Sequence, residues 1–92
     1  MYLNRKTHLA ILYQALYNRA PKWRDIGLFL KLDPDKLNVI KSNETDVHSR
    51  LEGMLSLWLN QVDPSPTKPK IVAVLRKLEL NAEAEELDNE LQ

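Results

Sequence analysis

Apolar residues recur at helical spacing along most of the chain, and no segment alternates apolar with polar residues as a half-buried strand would. The first helix is predicted over residues 7–18. Thr7 is its predicted N-cap, because a threonine hydroxyl can accept an unpaired backbone N–H. Pro21 ends this segment or begins the next. The apolar stripe of the first helix consists of Leu9, Leu12, Tyr13 and Leu16.

Two shorter helices are predicted to follow. The second covers residues 22–31 and the third covers residues 33–43. Asp33 is expected to cap the third helix, and Pro34 to take its first position, where the missing N–H of proline costs nothing. The residues predicted to face inward are Trp23, Ile26, Phe29 and Leu30 in the second helix, and Leu37 and Ile40 in the third.

The fourth helix, over residues 46–61, is predicted to be the longest and the most central. Thr45 or Asp46 can cap it. Leu57 and Leu59 widen its apolar stripe, so we expect neighbours to contact this helix from several sides. The stripe itself consists of Val47, Leu51, Met54, Leu55, Trp58 and Val62.

A turn containing Pro64 and Pro66 separates the fourth helix from two more. Thr67 is expected to cap the fifth helix and Asn81 the sixth. Their inward residues are Ile71, Val74, Leu75 and Leu78 in the fifth, and Ala84, Leu87 and Leu91 in the sixth.

The predicted fold class is therefore an all-α bundle of six helices with neighbours packed roughly antiparallel. The side chains expected to form its core are Leu12, Leu16, Trp23, Ile26, Leu30, Leu37, Ile40, Leu51, Met54, Leu55, Trp58, Ile71, Leu75 and Leu87.

Composition narrows the class of protein. A chain of 92 residues, 43% of them apolar, is one small globular domain. No apolar run approaches the roughly 18 residues that span a bilayer, and no N-terminal stretch is apolar enough for a secretory signal. The absence of cysteine excludes disulfides and thiolate metal sites, and it fits a reducing compartment such as the cytoplasm.

Charge is balanced overall but not along the chain. There are 13 basic and 13 acidic residues. Residues 1–31 contain six basic residues and one acidic residue, whereas residues 79–92 contain six acidic residues and no basic one. Two interpretations remain open: the two ends of the chain lie together and neutralise each other, or they attract the opposite ends of other molecules.

Candidate catalytic and metal-binding groups are few. His8 and His48 are forty positions apart with no cysteine to join them, so we expect exposed histidines and no metal site. Asp33 and Asp35 are better explained as a helix cap and a first-turn acid than as a catalytic pair. With no phosphate loop or catalytic triad, we expect no enzymatic activity, no cofactor and no small-molecule substrate.

Two segments that contain tryptophan resemble the death domain family. In residues 22–32, Trp23 is followed by a small residue and two leucines, as in the second helix of that family. Residues 50–59 resemble its most recognisable stretch, in which Met54 and Leu55 are followed by two residues and then by a Trp-Leu pair. The tryptophan of the second helix favours a death domain over the caspase-recruitment and death-effector types.

The resemblance extends over about residues 9–91. Residues 33–43 resemble the short third helix of the family. Pro66 and Thr67 stand where the family often has Pro-Thr-Trp, and Lys68 replaces that tryptophan. We therefore expect the start of the fifth helix to pack differently here.

The resemblance implies a six-helix antiparallel bundle of Greek-key order that binds other domains of the same fold. It also implies self-association as one possible outcome, and partners such as receptors, adaptors, kinases or ankyrin-bearing proteins in apoptotic or innate-immune signalling. The mechanism would be binding alone, through asymmetric surfaces whose contacts build rings or open helices.

In this fold the second and third helices present one binding surface, and the first and fourth present its complement. The candidate residues are Arg24, Asp25, Lys31, Asp35, Lys36 and Lys41 on the first surface, and Arg5, Lys6, Arg50 and Glu52 on the second. The alternative for each residue is an ordinary solvated helix face.

Two other functions are weighed against homotypic binding. One is a small helical nucleic-acid-binding domain that uses the basic N-terminal third. Asp33, Asp35 and Glu44 oppose it, because they would repel phosphates near the predicted third helix. The other is a structural domain of a larger chain with no partner of this fold. We expect neither nucleic-acid binding nor direct membrane insertion.

Overall fold

The computed structural model describes residues 2–91, and within that range the chain forms six α-helices and one 3₁₀ helix. The fold is all-α, as the hydrophobic pattern predicts. In chain order the elements are α1 (Arg5–Leu16), the 3₁₀ helix (Tyr17–Lys22), α2 (Trp23–Phe29), α3 (Pro34–Asn43), α4 (Val47–Leu59), α5 (Lys68–Lys77) and α6 (Asn81–Glu90).

Capping side chains determine where three helices begin. Asp33 accepts the N–H of Asp35 at 2.9 Å, which confirms it as the cap of α3. Asp46 accepts the N–H of Ser49 at 2.8 Å, so Asp46 and not Thr45 caps α4. The predicted start of α1 is wrong. Asn4 is the cap, because its Oδ1 accepts the N–H of Thr7 at 2.8 Å.

The starts of α5 and α6 depend on backbone contacts instead. Thr67 stands at the N-cap of α5, but within residues 2–91 its side chain makes no capping hydrogen bond. Its backbone pairs with Tyr2 in an isolated antiparallel bridge. Asn81 is the first residue of α6 and not its cap, because the carbonyl of Leu80 already accepts the N–H of Ala84 at 2.9 Å.

The second helix is shorter than predicted, because α2 ends at Phe29. Lys31 then turns into the left-handed region with φ of 67°, and its N–H donates to Leu28 O at 3.0 Å. The N–H of Leu32 donates to Gly27 O at 3.0 Å, so the two bonds form a Schellman motif that closes the helix. Phe29 is 42% exposed as a result, and its predicted inward position is wrong.

The core is centred on α4, which contacts α1, α2, α3 and the 3₁₀ helix. Trp58 is 1% exposed and Trp23 is 5% exposed, so both indoles lie inside the bundle. Ile40 is an exception among the predicted core residues, because it is only partly buried at the edge of the core. Val62 is exposed, because α4 ends three residues before it. The other buried predicted core residues are Leu12, Leu16, Ile26, Leu30, Leu37, Leu51, Met54, Leu55, Ile71, Leu75 and Leu87.

None of the helices formed by residues 2–91 combines the length and the apolar composition that a membrane span requires.

Candidate interaction surfaces

Within residues 2–91, one hydrogen bond between side chains links α2 to α3. Arg24 Nη1 donates to Asn38 Oδ1 at 2.7 Å, which joins the two helices across their seam. The guanidinium is therefore fixed in position while the residue remains partly exposed. The neighbouring candidates Asp25, Asp35 and Lys41 are exposed.

An apolar depression of about 330 Å³ lies between α3 and α4. We call it the α3–α4 depression, and it is lined by Lys36, Val39, Ile40, Gly53 and Leu57. Val39 is 56% exposed. The depression places Lys36, which has no ion-pair partner among residues 2–91, next to an exposed aliphatic side chain, and this combination is suited to contact with another protein.

The structure separates Lys31 from this surface. Lys31 lines a different groove, between the end of α2 and α5, together with Phe29. Lys36 instead lines the α3–α4 depression. The six residues predicted for the surface of the second and third helices therefore do not form one continuous cluster.

Arg50 is used inside the fold. Its Nε donates to Glu44 O at 2.9 Å, and its Nη2 donates to Lys41 O at 3.1 Å. Both carbonyls lie at the C-terminal end of α3, where helix carbonyls lack partners and the helix dipole favours a cation. Arg50 thus holds the end of α3 against α4.

Replacing Arg50 with alanine should lower the free energy of unfolding by about 1–2 kcal/mol, because two charge-assisted hydrogen bonds are lost. Arg50→Lys should recover only part of this, since an ammonium cannot reproduce the guanidinium fork. Urea unfolding measures both values. Arg5→Ala is the control, because Arg5 makes no hydrogen bond or ion pair in the described part of the chain. Equal unfolding midpoints for Arg50→Ala and Arg5→Ala would contradict this role.

The four candidates on α1 and α4 do not lie together either. Tyr17, directly after α1, stacks on His48 in the first turn of α4, so the two helices are antiparallel. At the opposite end the N–H of Leu3 donates to Pro66 O at 2.9 Å. Arg5 and Lys6 therefore lie at the Pro66 end, separated from the Arg50 end by the length of α1, about 18 Å.

A cluster that the sequence analysis missed covers the junction of α1 and α4. The rings of Tyr17 and His48 lie 4.0 Å apart at 24°, and the rings of Tyr13 and Tyr17 are 5.5 Å apart at 85°. His48 Nε2 is 3.2 Å from Tyr17 O. The signal available in the sequence was the i, i+4 spacing of Tyr13 and Tyr17, which places them on one helix face.

The charges around this cluster are acidic. Partial burial raises the pKa of Tyr13, and the charges of Tyr17, Glu52 and Asp46 raise it further. Hydrogen bonds from the backbone and the hydroxyl of Ser49 lower the pKa of Asp46. Glu52 and Asp46 therefore give the α1–α4 surface a negative contribution.

Both histidines have partners, contrary to the expectation that they are exposed. His8 is 7% exposed, and its Nδ1 accepts the N–H of Asn4 at 2.9 Å, which supports the cap of α1. His48 is half-buried in the stack with Tyr17. Across residues 2–91 no group of three or more His, Cys, Asp or Glu side chains could hold a metal ion.

The two oppositely charged ends of the chain meet within the molecule. Arg19 Nε lies 3.0 Å from Glu83 Oε2, which links the 3₁₀ helix to α6. Lys68 Nζ lies 3.2 Å from Asp88 Oδ1, so the lysine that stands where the family often has tryptophan joins α5 to α6. Part of the acidic charge of α6 is therefore neutralised internally.

Comparison with family models matches residues 6–91 to the model described as Death domain. The match covers nearly the whole chain and includes all of the helices except the first residue of α1. Comparison with curated proteins found no match, and comparison with solved structures found none.

Proposed function

Because the chain belongs to the death domain family of protein-interaction modules, we propose that it binds other death-fold domains in apoptotic or innate-immune signalling. The partner is a domain of the same fold, either a second copy of this chain or a death domain of another protein. Its role is binding without catalysis, and its partners are cytoplasmic proteins.

The observation that carries this proposal is the α3–α4 depression. Val39 is 56% exposed beside Lys36, in a domain whose other aliphatic side chains mostly pack inward. Apolar contact at the centre of such a surface supplies affinity once water is expelled. Lys36, which lines the depression, sets the approach rate and the choice of partner.

The complementary surface is the junction of α1 and α4. Glu52 is exposed there, close enough to Tyr13 to raise the pKa of that residue, and Asp46 adds a second carboxylate. Lys36 of one domain and the carboxylates Glu52 and Asp46 of the next give a heterologous contact, which continues into rings or open helices. Arg50 contributes through its hold on α3 and not as a free cation.

Reversing the charge of Lys36 should weaken binding to a death-domain partner about tenfold and leave the fold intact. The experiment measures the affinity of the purified domain for a panel of purified death domains by surface plasmon resonance. Lys36→Glu is compared with Lys22→Glu, which makes the same charge change at an exposed residue of the 3₁₀ helix. Arg24→Glu is also expected to weaken binding, and because it removes the hydrogen bond to Asn38 it is compared only after its fold has been checked.

Circular dichroism checks that each variant keeps the helical content of the parent. The proposal fails if no death domain binds, or if Lys22→Glu weakens binding as much as Lys36→Glu does. Titration with duplex DNA tests the alternative partner. Tight binding that falls steeply with salt would favour a nucleic-acid function instead.

A further inference from the structure

An apolar groove runs between the end of α2 and the outer face of α5. It consists of two adjoining depressions of about 480 Å³ and about 340 Å³, which share Phe29, Lys31, Ala73 and Val74. We call it the α2–α5 groove. It lies apart from the α3–α4 depression, with which it shares none of the residues that line it.

Phe29 provides the exposed apolar surface of this groove. It is the one phenylalanine of the chain, and 42% of it remains exposed because α2 ends at this residue. Leu30 and Trp58 line the same groove from within the core. A partner that covers Phe29 would therefore extend the core outward, which is the arrangement found at the centre of protein interfaces.

The rim of the groove is basic. Lys70 and Lys77 bracket Ala73 and Val74 on one face of α5, and Lys31 stands opposite on the turn after α2. Lys70 Nζ donates to Ser65 O at 2.8 Å, and its other two N–H donors have no partner in the described part of the chain. Among residues 2–91, no acidic side chain lines either depression.

Lys31 is held in place by backbone geometry. Its φ of 67° belongs to the Schellman turn, in which Leu28 and Gly27 accept the two closing hydrogen bonds. The direction of its Cα–Cβ bond is thus set by the end of α2. Binding a carboxylate at Lys31 therefore orders the side chain alone, whereas on a mobile loop it would order the backbone as well.

We propose that the α2–α5 groove binds an acidic amphipathic helix of a partner protein, with an apolar side chain covering Phe29. Lys70 and Lys77 are seven residues apart, about 10 Å along α5, which matches two turns of a docked helix. Helices that dock in grooves present apolar residues at i, i+3, i+4 and i+7. The acidic residues on the flanks of such a helix would pair with the three lysines.

The acidic helix of a second copy fits this groove less well. The exposed face of α6 is polar apart from Ala82, and over its ten described residues it exposes no large apolar side chain. Docked α6 would satisfy the lysines but leave Phe29 in water. The proposed partner of this groove is therefore not a death domain. The proposal does not depend on whether the α3–α4 depression binds one.

The test uses a synthetic 16-residue peptide with leucine at positions spaced i, i+3, i+4 and i+7, and glutamate at most others. Binding is followed by amide chemical shifts of the labelled domain. We expect saturable shifts centred on Phe29, Lys31 and Val74, with affinity that falls as salt rises. A peptide with glutamine in place of glutamate should bind about tenfold more weakly.

Variants of the domain locate the site. Lys70→Glu combined with Lys77→Glu should weaken peptide binding about tenfold or more, whereas Lys6→Glu combined with Lys22→Glu makes the same charge change elsewhere and should not. Phe29→Ala should also weaken it. If the lysine double variant fails to fold, Lys77→Gln alone replaces it and should weaken binding in the same direction.

Three results would overturn the proposal. The first is equal affinity for the acidic and the glutamine peptides. The second is a set of chemical shifts centred on the α3–α4 depression. The third is an equal loss of peptide affinity in the two double variants. Because death domain binding is measured with a different ligand and with Lys36→Glu, failure here is distinguishable from failure of the proposed function.

Discussion

Replacing Trp58 with alanine is expected to lower the free energy of unfolding by about 3–5 kcal/mol. The indole is 1% exposed in α4, the helix that contacts α1, α2, α3 and the 3₁₀ helix. Its removal leaves a cavity that these neighbouring helices cannot fill by moving closer. Since domains of this size are stable by only about 5–15 kcal/mol, the variant should lose a large share of its stability.

Urea denaturation followed by circular dichroism measures the change. Val62→Ala is the control, because Val62 lies just beyond α4 and is 85% exposed. It should shift the unfolding midpoint very little. Trp58→Phe should fall between the two, since it keeps part of the buried volume. An unchanged melting temperature for a folded Trp58→Ala protein would contradict the position of Trp58 in the core.

Replacing Gly27 with alanine is expected to lower the free energy of unfolding by about 1–2 kcal/mol, although alanine is the better helix former. A β-carbon at this position of α2 would lie 3.0 Å from Leu37 Cδ2 and 3.1 Å from Met54 Cγ. Both neighbours are fully buried, so neither can move aside freely. Overpacking should therefore outweigh the gain in helix propensity, which is at most about 1 kcal/mol.

The matched variant is Gly53→Ala in α4. There the β-carbon would lie 3.4 Å from Ile40 Cγ2, at the edge of ordinary contact, and Ile40 is only partly buried. This variant should raise the free energy of unfolding by up to about 1 kcal/mol. Thermal unfolding of the two proteins in parallel distinguishes the sites. Stabilisation by Gly27→Ala would contradict the close approach of α2 to α3 and α4.

Local signals in the sequence account for the helices that were predicted well. Asp33 followed by Pro34 defines the start of α3, and Asp46 defines the start of α4, because a capping carboxylate bonds a backbone N–H two or three residues away. The start of α1 was missed, since Asn4 and Thr7 are both good caps by residue type and only the reciprocal bond from Asn4 to His8 distinguishes them.

The ends of helices were harder to predict where the turn residue was not glycine. Lys31 and Glu79 both adopt positive φ, at 67° and 64°, in turns that glycine usually forms. Without that signal, the second helix was predicted to continue to residue 31. The same error placed Phe29 inward, although its exposure is what gives the α2–α5 groove its apolar surface.

The candidate surfaces depend on contacts between helices, which the residue pattern along one helix does not contain. Arg50 has the spacing of a surface residue, yet its guanidinium bonds two carbonyls at the end of α3. Lys31 and Lys36 are close in sequence but line different depressions. His48 stacks on Tyr17, thirty-one residues away, and no local sequence motif predicts that contact.

Homotypic binding through the α3–α4 depression is tested most directly by mapping amide chemical shifts of the labelled domain as an unlabelled death-domain partner is added. We expect saturable shifts at Lys36, Val39 and Leu57, and in the Lys36→Glu variant the same shifts should need about tenfold more partner to reach half of their final size. Shifts confined to α5 and α6, or none at saturating concentrations of every death domain in the panel, would contradict it.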